Sequence, residues 1–313
     1  MKLTDSGHYR AEMSITWEEI ASQPAAWRRA ATLAIDAGDL LPAPGLRVCA
    51  VGCGTSLYMA QAWAALRERA GHGRTDAFAA SELPGGRHYD TLVAISRSGT
   101  TSEVLHVLVR GQGVATHSLA ITAVAGSPVA QAADNAIVLD FADERSVVQT
   151  RFATTALMLL RAHAGDDTER AARDAESALA APLPVDPAKV EQWTFLGRGW
   201  AVGLAHEAAL KLREAGQAWT EAYPALEYRH GPIAIAGPRR VVWSLDPLDP
   251  ALAEEVRATG ATLVCEPLDS LAALVLAQRT AVTLAQARGL DPDRPRNLAR
   301  SVVLEGAALE VLS

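Results

Sequence analysis

Short apolar runs alternate with helical patterns along this chain, stop, and start again. This interrupted alternation restricts the fold more than any other feature. Runs at 46–51, 77–80, 92–95, 118–122 and 136–140 read as strands with helices between them, and 147–163 reads as a long apolar helix. The segment 165–180 is charged and alanine-rich, and 181–187 holds three prolines in seven residues, a linker composition. Strands at 193–196, 241–245 and 261–264 then follow, with helices at 200–215 and 268–288. The first forty residues suggest two helices, one ending near Gln23 and one over 25–37. Strands linked through helices give parallel sheets covered on both faces. The expected fold is α/β, with two tandem subdomains, each a parallel sheet flanked by helices in three αβα layers. The expected divisions are an N-terminal helical segment (1–40), a first subdomain (41–180), a second subdomain (181–290) and a tail (291–313).

The two halves echo each other. Val51-Gly52-Cys53-Gly54 matches Leu196-Gly197-Arg198-Gly199, and Ser81-Glu82-Leu83-Pro84 loosely matches Glu221-Ala222-Tyr223-Pro224, as in a duplication. One stretch has no echo. Strand 92–95 runs straight into Ser96-Arg97-Ser98-Gly99-Thr100-Thr101, and a helix covers 103–109. Free N–H groups and the helix dipole favour an anion there, and hydroxyls rotate to donate to several oxygens. A cap needs one hydroxyl. Five hydroxyl residues in positions 96–102 point to a bound phosphate. The second half runs into Asp246-Pro247 instead, so one phosphate site per chain is expected. Neither Gly-x-Gly turn continues to a third glycine, which argues against a dinucleotide cofactor.

Glu207, Lys211 and Glu214 are spaced i, i+4, i+7 and share one helix face. The spacing alone equally describes a solvated face with a stabilising Glu–Lys pair. The start of that helix at a Gly-x-Gly turn, where ligands sit in such sheets, favours a site. In Glu227-Tyr228-Arg229-His230-Gly231-Pro232, His230 suits proton transfer near neutrality, although a lone loop histidine is more often ordinary surface. His8, His72, His88, His106, His117, His163 and His206 read as structural or surface residues.

The net charge of −7, with no basic block longer than a pair such as Arg28-Arg29, argues against nucleic acid. Three cysteines give no disulfide framework and suggest a reducing compartment. Cys49 and Cys53 lack further ligands at zinc spacing and read as small buried hydrophobes, so no metal is expected. The polar start resembles no signal peptide, and no apolar run reaches membrane-spanning length, so no membrane partner and a cytoplasmic location are expected.

Six ordered motifs carry a family resemblance. They are Glu19-Ile20-Ala21-Ser22-Gln23-Pro24, Gly52-Cys53-Gly54-Thr55-Ser56, the turn 96–101, Glu207 to Glu214, Arg229-His230-Gly231-Pro232, and Pro295-Arg296-Asn297-Leu298-Ala299-Arg300-Ser301-Val302. With them the chain resembles the double SIS (sugar isomerase) domain family. It is most similar to the isomerase half of glucosamine-6-phosphate synthases and to stand-alone amino-sugar-phosphate isomerases and deaminases. The resemblance implies that Thr55, Ser56, Ser96, Ser98 and Thr101 hold a sugar phosphate, with Arg97 beside it and Gly54, Gln149 and Arg300 elsewhere in the substrate site. It implies Glu214 as the base moving a proton between C1 and C2, and His230 as the ring-opening group reaching the neighbouring subunit's site. Lys211 and Glu207 would orient that base and the sugar. A tail folding back to the site and a homodimer with shared active sites follow from the same resemblance.

Three departures stand out. No glutaminase half is expected, since Met1 leads into Lys2 and Leu3. Arg97 replaces a neutral amide of the synthases, and Arg300 replaces their Schiff-base lysine. The segment Glu144 to Arg151 looks more like the stand-alone catabolic members. The expected function is aldose–ketose isomerisation of an amino-sugar phosphate, coupled to ammonia release, without cofactor. A fructosamine-phosphate-type deglycase and a non-catalytic sugar-phosphate sensor are the alternatives. A sensor would need the hydroxyl turn but not Glu214 and His230.

Overall fold

The computed structural model describes residues 14–110 and 113–305. The polar chain start, with His8 and Lys2, and the last residues of the tail lie outside the described residues. Two helices come first, α1 (Ile15–Ala21), capped by the Ser14 hydroxyl, and α2 (Gln23–Asp36). The first subdomain then runs β1 (Val48–Gly52), α3 (Thr55–Arg69), β2 (Thr75–Ala79), β3 (Tyr89–Ile95), α4 (Ser102–Arg110), β4 (Ala115–Thr122), α5 (Pro128–Ala132), β5 (Asn135–Val138), α6 (Arg151–His163) and α7 (Thr168–Ala180). The second runs β6 (Gln192–Gly197), α8 (Ala201–Gly216), β7 (Trp219–Pro224), β8 (Arg240–Ser244), α9 (Pro250–Ala258), β9 (Thr262–Cys265) and α10 (Ser270–Ala287).

Both sheets are wholly parallel, in the orders β2-β1-β3-β4-β5 and β7-β6-β8-β9. Strands β1 and β6 are buried at every position; β1 is accordingly an unbroken apolar run, and in β6 the two polar residues satisfy each other, Gln192 Nε2 donating to Thr194 Oγ1 at 2.9 Å. The duplication is visible in the shared order, because β7-β6-β8-β9 repeats β2-β1-β3-β4. It is also visible in Gly52 and Gly197, which end β1 and β6. A Cβ at either would lie 2.6 or 2.2 Å from backbone atoms of the following helix. The looser echo does not hold in register. Pro224 pairs with Gly197 as Ala79 pairs with Gly52, so Pro84 lies five residues too far along.

Two segments differ from the sequence expectation. Residues 168–180, read as a break, form α7, whose Ala171, Ala172, Ala175 and Ala178 are buried. Alanine gives a helix a close-packing face without the bulky periodicity that marks one in sequence. Strand β7 was not anticipated. It is an edge strand whose residues are half-buried or exposed, and it lacks an apolar run.

One hydrophobic core joins the halves, holding Trp27 and Trp63 together with Trp193 and Trp243. Gln23 Nε2 donates to Gln278 Oε1 at 2.8 Å inside it. The Arg161 guanidinium binds both carboxylate oxygens of Asp269 at 2.9 and 2.8 Å, reaches Asp166 at 3.0 Å and lies over the Trp200 ring. Helices α3 and α8 pack antiparallel, with Tyr58 stacked on His206 at 5.4 Å between centroids. A Cβ at Gly203 would meet the Tyr58 carbonyl at 2.5 Å, so only glycine permits this approach.

Candidate active site

Strands β1 and β3 are neighbours, and both end at the same edge of the first sheet. The chain leaves β1 through Gly54, the N-cap of α3, into Thr55 and Ser56, which are both buried. It leaves β3 into Ser96 to Thr101. The Ser96 hydroxyl accepts from the Gly99 N–H at 3.2 Å and lies 3.4 Å from Thr101 Oγ1. Ser98 Oγ accepts from the Thr100 N–H and hydroxyl at 3.2 and 3.1 Å. Gln149 Oε1 accepts from Ser56 Oγ at 3.5 Å, bringing the 144–150 segment to the same edge. Gly54, Thr55, Ser56, Ser96, Ser98, Thr101 and Gln149 are therefore assembled around the ends of two adjacent strands.

The tail reaches this turn. Ser301 Oγ lies 3.0 Å from Ser98 Oγ and 2.9 Å from Thr100 Oγ1, within hydrogen-bond distance of both. The Ser102 N–H donates to the Val302 carbonyl at 3.2 Å, and the Leu304 N–H donates to Ser102 Oγ at 2.8 Å. Ser301 lies in the 295–302 motif, but its spacing in sequence gives no sign of these partners.

Arg97 departs from its expected place as a phosphate ligand. Its side chain is 2% exposed and sits 3.5 Å from the Glu144 carboxylate, itself fully buried. Its terminal nitrogens donate to the carbonyls of Ser146, Val147 and Arg300 at 3.2, 3.2 and 3.0 Å. Its charge is matched by Glu144 and its donors tie the turn to the 144–150 segment and the tail. Glu144 Oε1 accepts from the Thr150 and Arg151 N–H groups, both at 2.6 Å. Glu19 of α1 accepts from the Arg145 N–H at 2.6 Å and from the Ser146 hydroxyl. Glu144 and Glu19 were missed as a pair. A buried arginine demands a buried carboxylate, but sequence does not say which arginine is buried. The Arg300 side chain pairs with Asp143 and is partly exposed.

Glu207, Lys211 and Glu214 lie in the middle and last turns of α8, roughly 10–20 Å along the helix from its Gly-x-Gly start. That start, the feature which favoured a site in the sequence, is therefore not where they act. Instead they face the first subdomain, because α8 runs back across α3. Lys211 Nζ donates to Thr55 Oγ1 at 3.0 Å and to Glu214 Oε2 at 2.5 Å, and lies 3.4 Å from Glu207 Oε1. Burial pushes the Glu207 carboxyl up to about 8, and neither of its oxygens has a hydrogen-bond partner among the described residues. Burial also works against the Lys211 charge, but Glu207 and Glu214 outweigh it and raise the ammonium above its ordinary value. The result is a buried cation held between two carboxyl groups, at the edge that carries the hydroxyl turn.

His230 is not brought to these groups within one chain. It is exposed in the turn after β7, at the far edge of the second sheet. Glu214 lies just before the start of β7. A six-residue strand spans about 20 Å, which separates them. Glu221 lies in β7 and accepts from the Tyr223 hydroxyl at 3.1 Å. Among the described residues, no three His, Cys, Asp or Glu side chains are grouped to hold a metal ion.

Residues 44–164 match the family model described as the SIS domain. A glutamine–fructose-6-phosphate aminotransferase (isomerizing) of Methanothermobacter thermautotrophicus is 30% identical over 306 residues, covering 83% of this chain and 52% of that protein. The enzyme of the same description from Bordetella pertussis is 32% identical over 268 residues, covering 68% and 44%. The chain thus spans about half the length of the curated relatives it matches. A glucosamine-6-phosphate deaminase of Thermotoga maritima superposes with a TM-score of 0.81 at 26% identity, covering 93% of this chain and 100% of that one. The C-terminal domain of a glucosamine-fructose-6-phosphate aminotransferase from Francisella tularensis shares the fold, with a TM-score of 0.79 at 23% identity over 94% and 100% of the two chains.

Proposed function

The chain is a SIS-domain protein, and from that premise we propose that it interconverts the aldose and ketose forms of a phosphorylated amino sugar, with release of ammonia. One observation carries this reading. Lys211 ties Glu214 to Thr55, at the edge where Ser96, Ser98, Thr101 and Ser56 present hydroxyls. The phosphoryl group sits in the hydroxyl turn, where N–H groups and hydroxyls donate to it. Glu214 takes the proton from C2 of the open-chain aldose and returns it to C1. Lys211 supplies a fixed positive charge for the oxygen that becomes negative on the way. Where C2 bears an amine, the product of this transfer is an imine at C2, which water hydrolyses to the ketone and ammonia. The steps need neither metal nor nucleotide.

The curated relatives and the Thermotoga maritima deaminase support the substrate class by their names, and the buried acid–base group favours catalysis over sensing. Sugar-ring opening is assigned to His230 of a second copy, in a cytoplasmic homodimer with shared sites. The test is solvent deuterium uptake into a hexosamine 6-phosphate. Glu214→Gln is expected to bind the sugar phosphate with affinity near that of the parent while exchange falls by roughly 100-fold or more. Exchange at the parent rate would remove Glu214 from the reaction. Absence of exchange in the parent, with binding retained, would leave a sugar-phosphate sensor.

A further inference from the structure

The opposite edge of the first sheet carries a second polar concavity, where β1, β2 and β3 begin rather than end. Arg47 precedes β1, Arg74 precedes β2, and Arg87 and His88 precede β3. With Asp76 and Tyr89 they line a cavity of about 190 Å³. A single carboxylate oxygen organises its wall. Asp76 Oδ2 accepts from the Tyr89 hydroxyl at 2.7 Å, from Arg74 Nη2 at 3.1 Å and from Arg87 Nη1 at 3.3 Å. Partial burial works against the Asp76 charge, but the bonds from Tyr89 and Arg74 and the neighbouring guanidiniums outweigh it and hold the carboxyl below its ordinary value. Two guanidiniums therefore share one negative charge.

The third arginine does not cancel the excess. Arg47 is matched by its own partner, Asp90, at 3.1 Å, and its N–H also donates to that carboxylate at 2.7 Å. The other nearby acid, Glu68, accepts from the Thr75 N–H at 2.8 Å and lies beside the buried Arg67 guanidinium, whose charge it offsets. His88 is fixed in the wall, with its ring nitrogens 3.3 Å from Thr116 Oγ1 and 3.5 Å from the Gly113 carbonyl. A guanidinium has five N–H donors in a planar fork. Arg74 and Arg87 each direct one of theirs at Asp76. Exposed ion pairs add little to stability, so the fold alone gives small reason for guanidiniums to converge on one oxygen in a chain of net charge −7.

We propose that this concavity is a second anion site, which binds a dianionic phosphoryl group between Arg74 and Arg87. Binding would neutralise the unmatched charge and use forked donors suited to phosphate oxygens. The cavity is smaller than the roughly 300–1,000 Å³ of whole-ligand pockets, so it suits a phosphoryl head. An adjoining open groove, lined by Glu68, Gly71, Gly73 and Arg74, has room for the organic part of an ester. The site lies about 20 Å from the hydroxyl turn, the length of the intervening strands, and does not depend on the function proposed for that turn.

Calorimetric titration at pH 7 and 0.15 M salt tests it, with inorganic phosphate in one arm and a hexosamine 6-phosphate in the other. The proteins are the parent, Arg74→Gln/Arg87→Gln and Ser96→Ala/Ser98→Ala. The parent is expected to bind two anions per chain with Kd below about 1 mM, the scale of a specific weak site. The arginine variant is expected to bind one of them at least tenfold more weakly, with turnover unchanged. Both arms losing the site equally assigns it to the phosphoryl group alone, and a larger loss for the ester adds the groove. A single site lost in the arginine variant but kept in the serine variant supports this inference and removes the proposal for the hydroxyl turn. A single site lost only in the serine variant overturns the inference. So does a second site that survives the arginine changes, or binding only at tens of millimolar.

Discussion

Glu207 and Arg97 are both buried ionisable side chains at the border of the site, and their partners make them behave differently. Glu207 has no hydrogen-bond partner among the described residues, and burial raises its carboxyl to about 8. The unfolded chain gives that proton up near the ordinary glutamate value. Between about 4.5 and 8 the folded state therefore binds more protons than the unfolded one, so this group lowers stability progressively as pH rises through that window. Glu207→Gln removes the cost. Its melting temperature relative to the parent should be higher at pH 8 than at pH 5, and an equal difference at both pH values would count against a neutral buried Glu207. Arg97, by contrast, is matched by Glu144. Arg97→Met leaves that carboxylate buried without its ion-pair partner, and should cost roughly 3–5 kcal/mol in urea unfolding. A phosphate ligand would show the reverse, with weaker sugar-phosphate binding and stability intact. The hydroxyl residues of the turn were legible because strand, turn and helix follow one another without a gap. The direction of Arg97 was not, because a charge between two serines says nothing about which side of the chain it leaves from.

At the scale of elements, helix α8 determines whether the site exists. Its i, i+4, i+7 pattern gave the shared face of Glu207, Lys211 and Glu214, but the surface opposite that face comes from packing. Gly203 sets the packing by letting α8 approach the Tyr58 carbonyl. Gly203→Ala forces the helices apart near residue 58 and should destabilise the protein by about 1–3 kcal/mol. Because the Lys211–Thr55 contact lies two turns further on, kcat/KM should also fall by at least tenfold, as measured in steady-state assays on the folded variant. Normal kcat/KM in a destabilised variant would show that the contact tolerates the displacement. The elements that escaped the sequence, α7 and β7, did so for related reasons. One packs through alanines and the other is an edge strand, so neither presents the bulky apolar period by which elements are read.

At the scale of the whole molecule, tandem organisation was legible from the restarted alternation, while the shared core was not. Tryptophans from both halves look alike in sequence whether they fill two cores or one. The separation of His230 from Glu214 also belongs to this scale. If His230 serves a second copy, mixing Glu214→Gln with His230→Ala chains should restore part of the activity, since one site in the mixed dimer holds both wild-type residues. A verified heterodimer without activity would mean that both groups act within one chain.

Helices α3 and α8 occupy equivalent positions in the two halves. Counted from Gly52 and Gly197, Tyr58 and Gly203 are each the sixth residue on, and they touch. Contact between equivalent residues places an approximate twofold axis between these helices. Two identical copies packed in this way would have to carry every substitution twice. The fused chain escapes that rule. Lys211 faces Thr55, while its counterpart is Leu66, and Trp200, Ala201 and Asp246 stand where the first half has Thr55, Ser56 and Ser96. Joining the halves in one chain thus allowed one side of a symmetric contact to gain a buried ammonium, while the other kept leucine for the core.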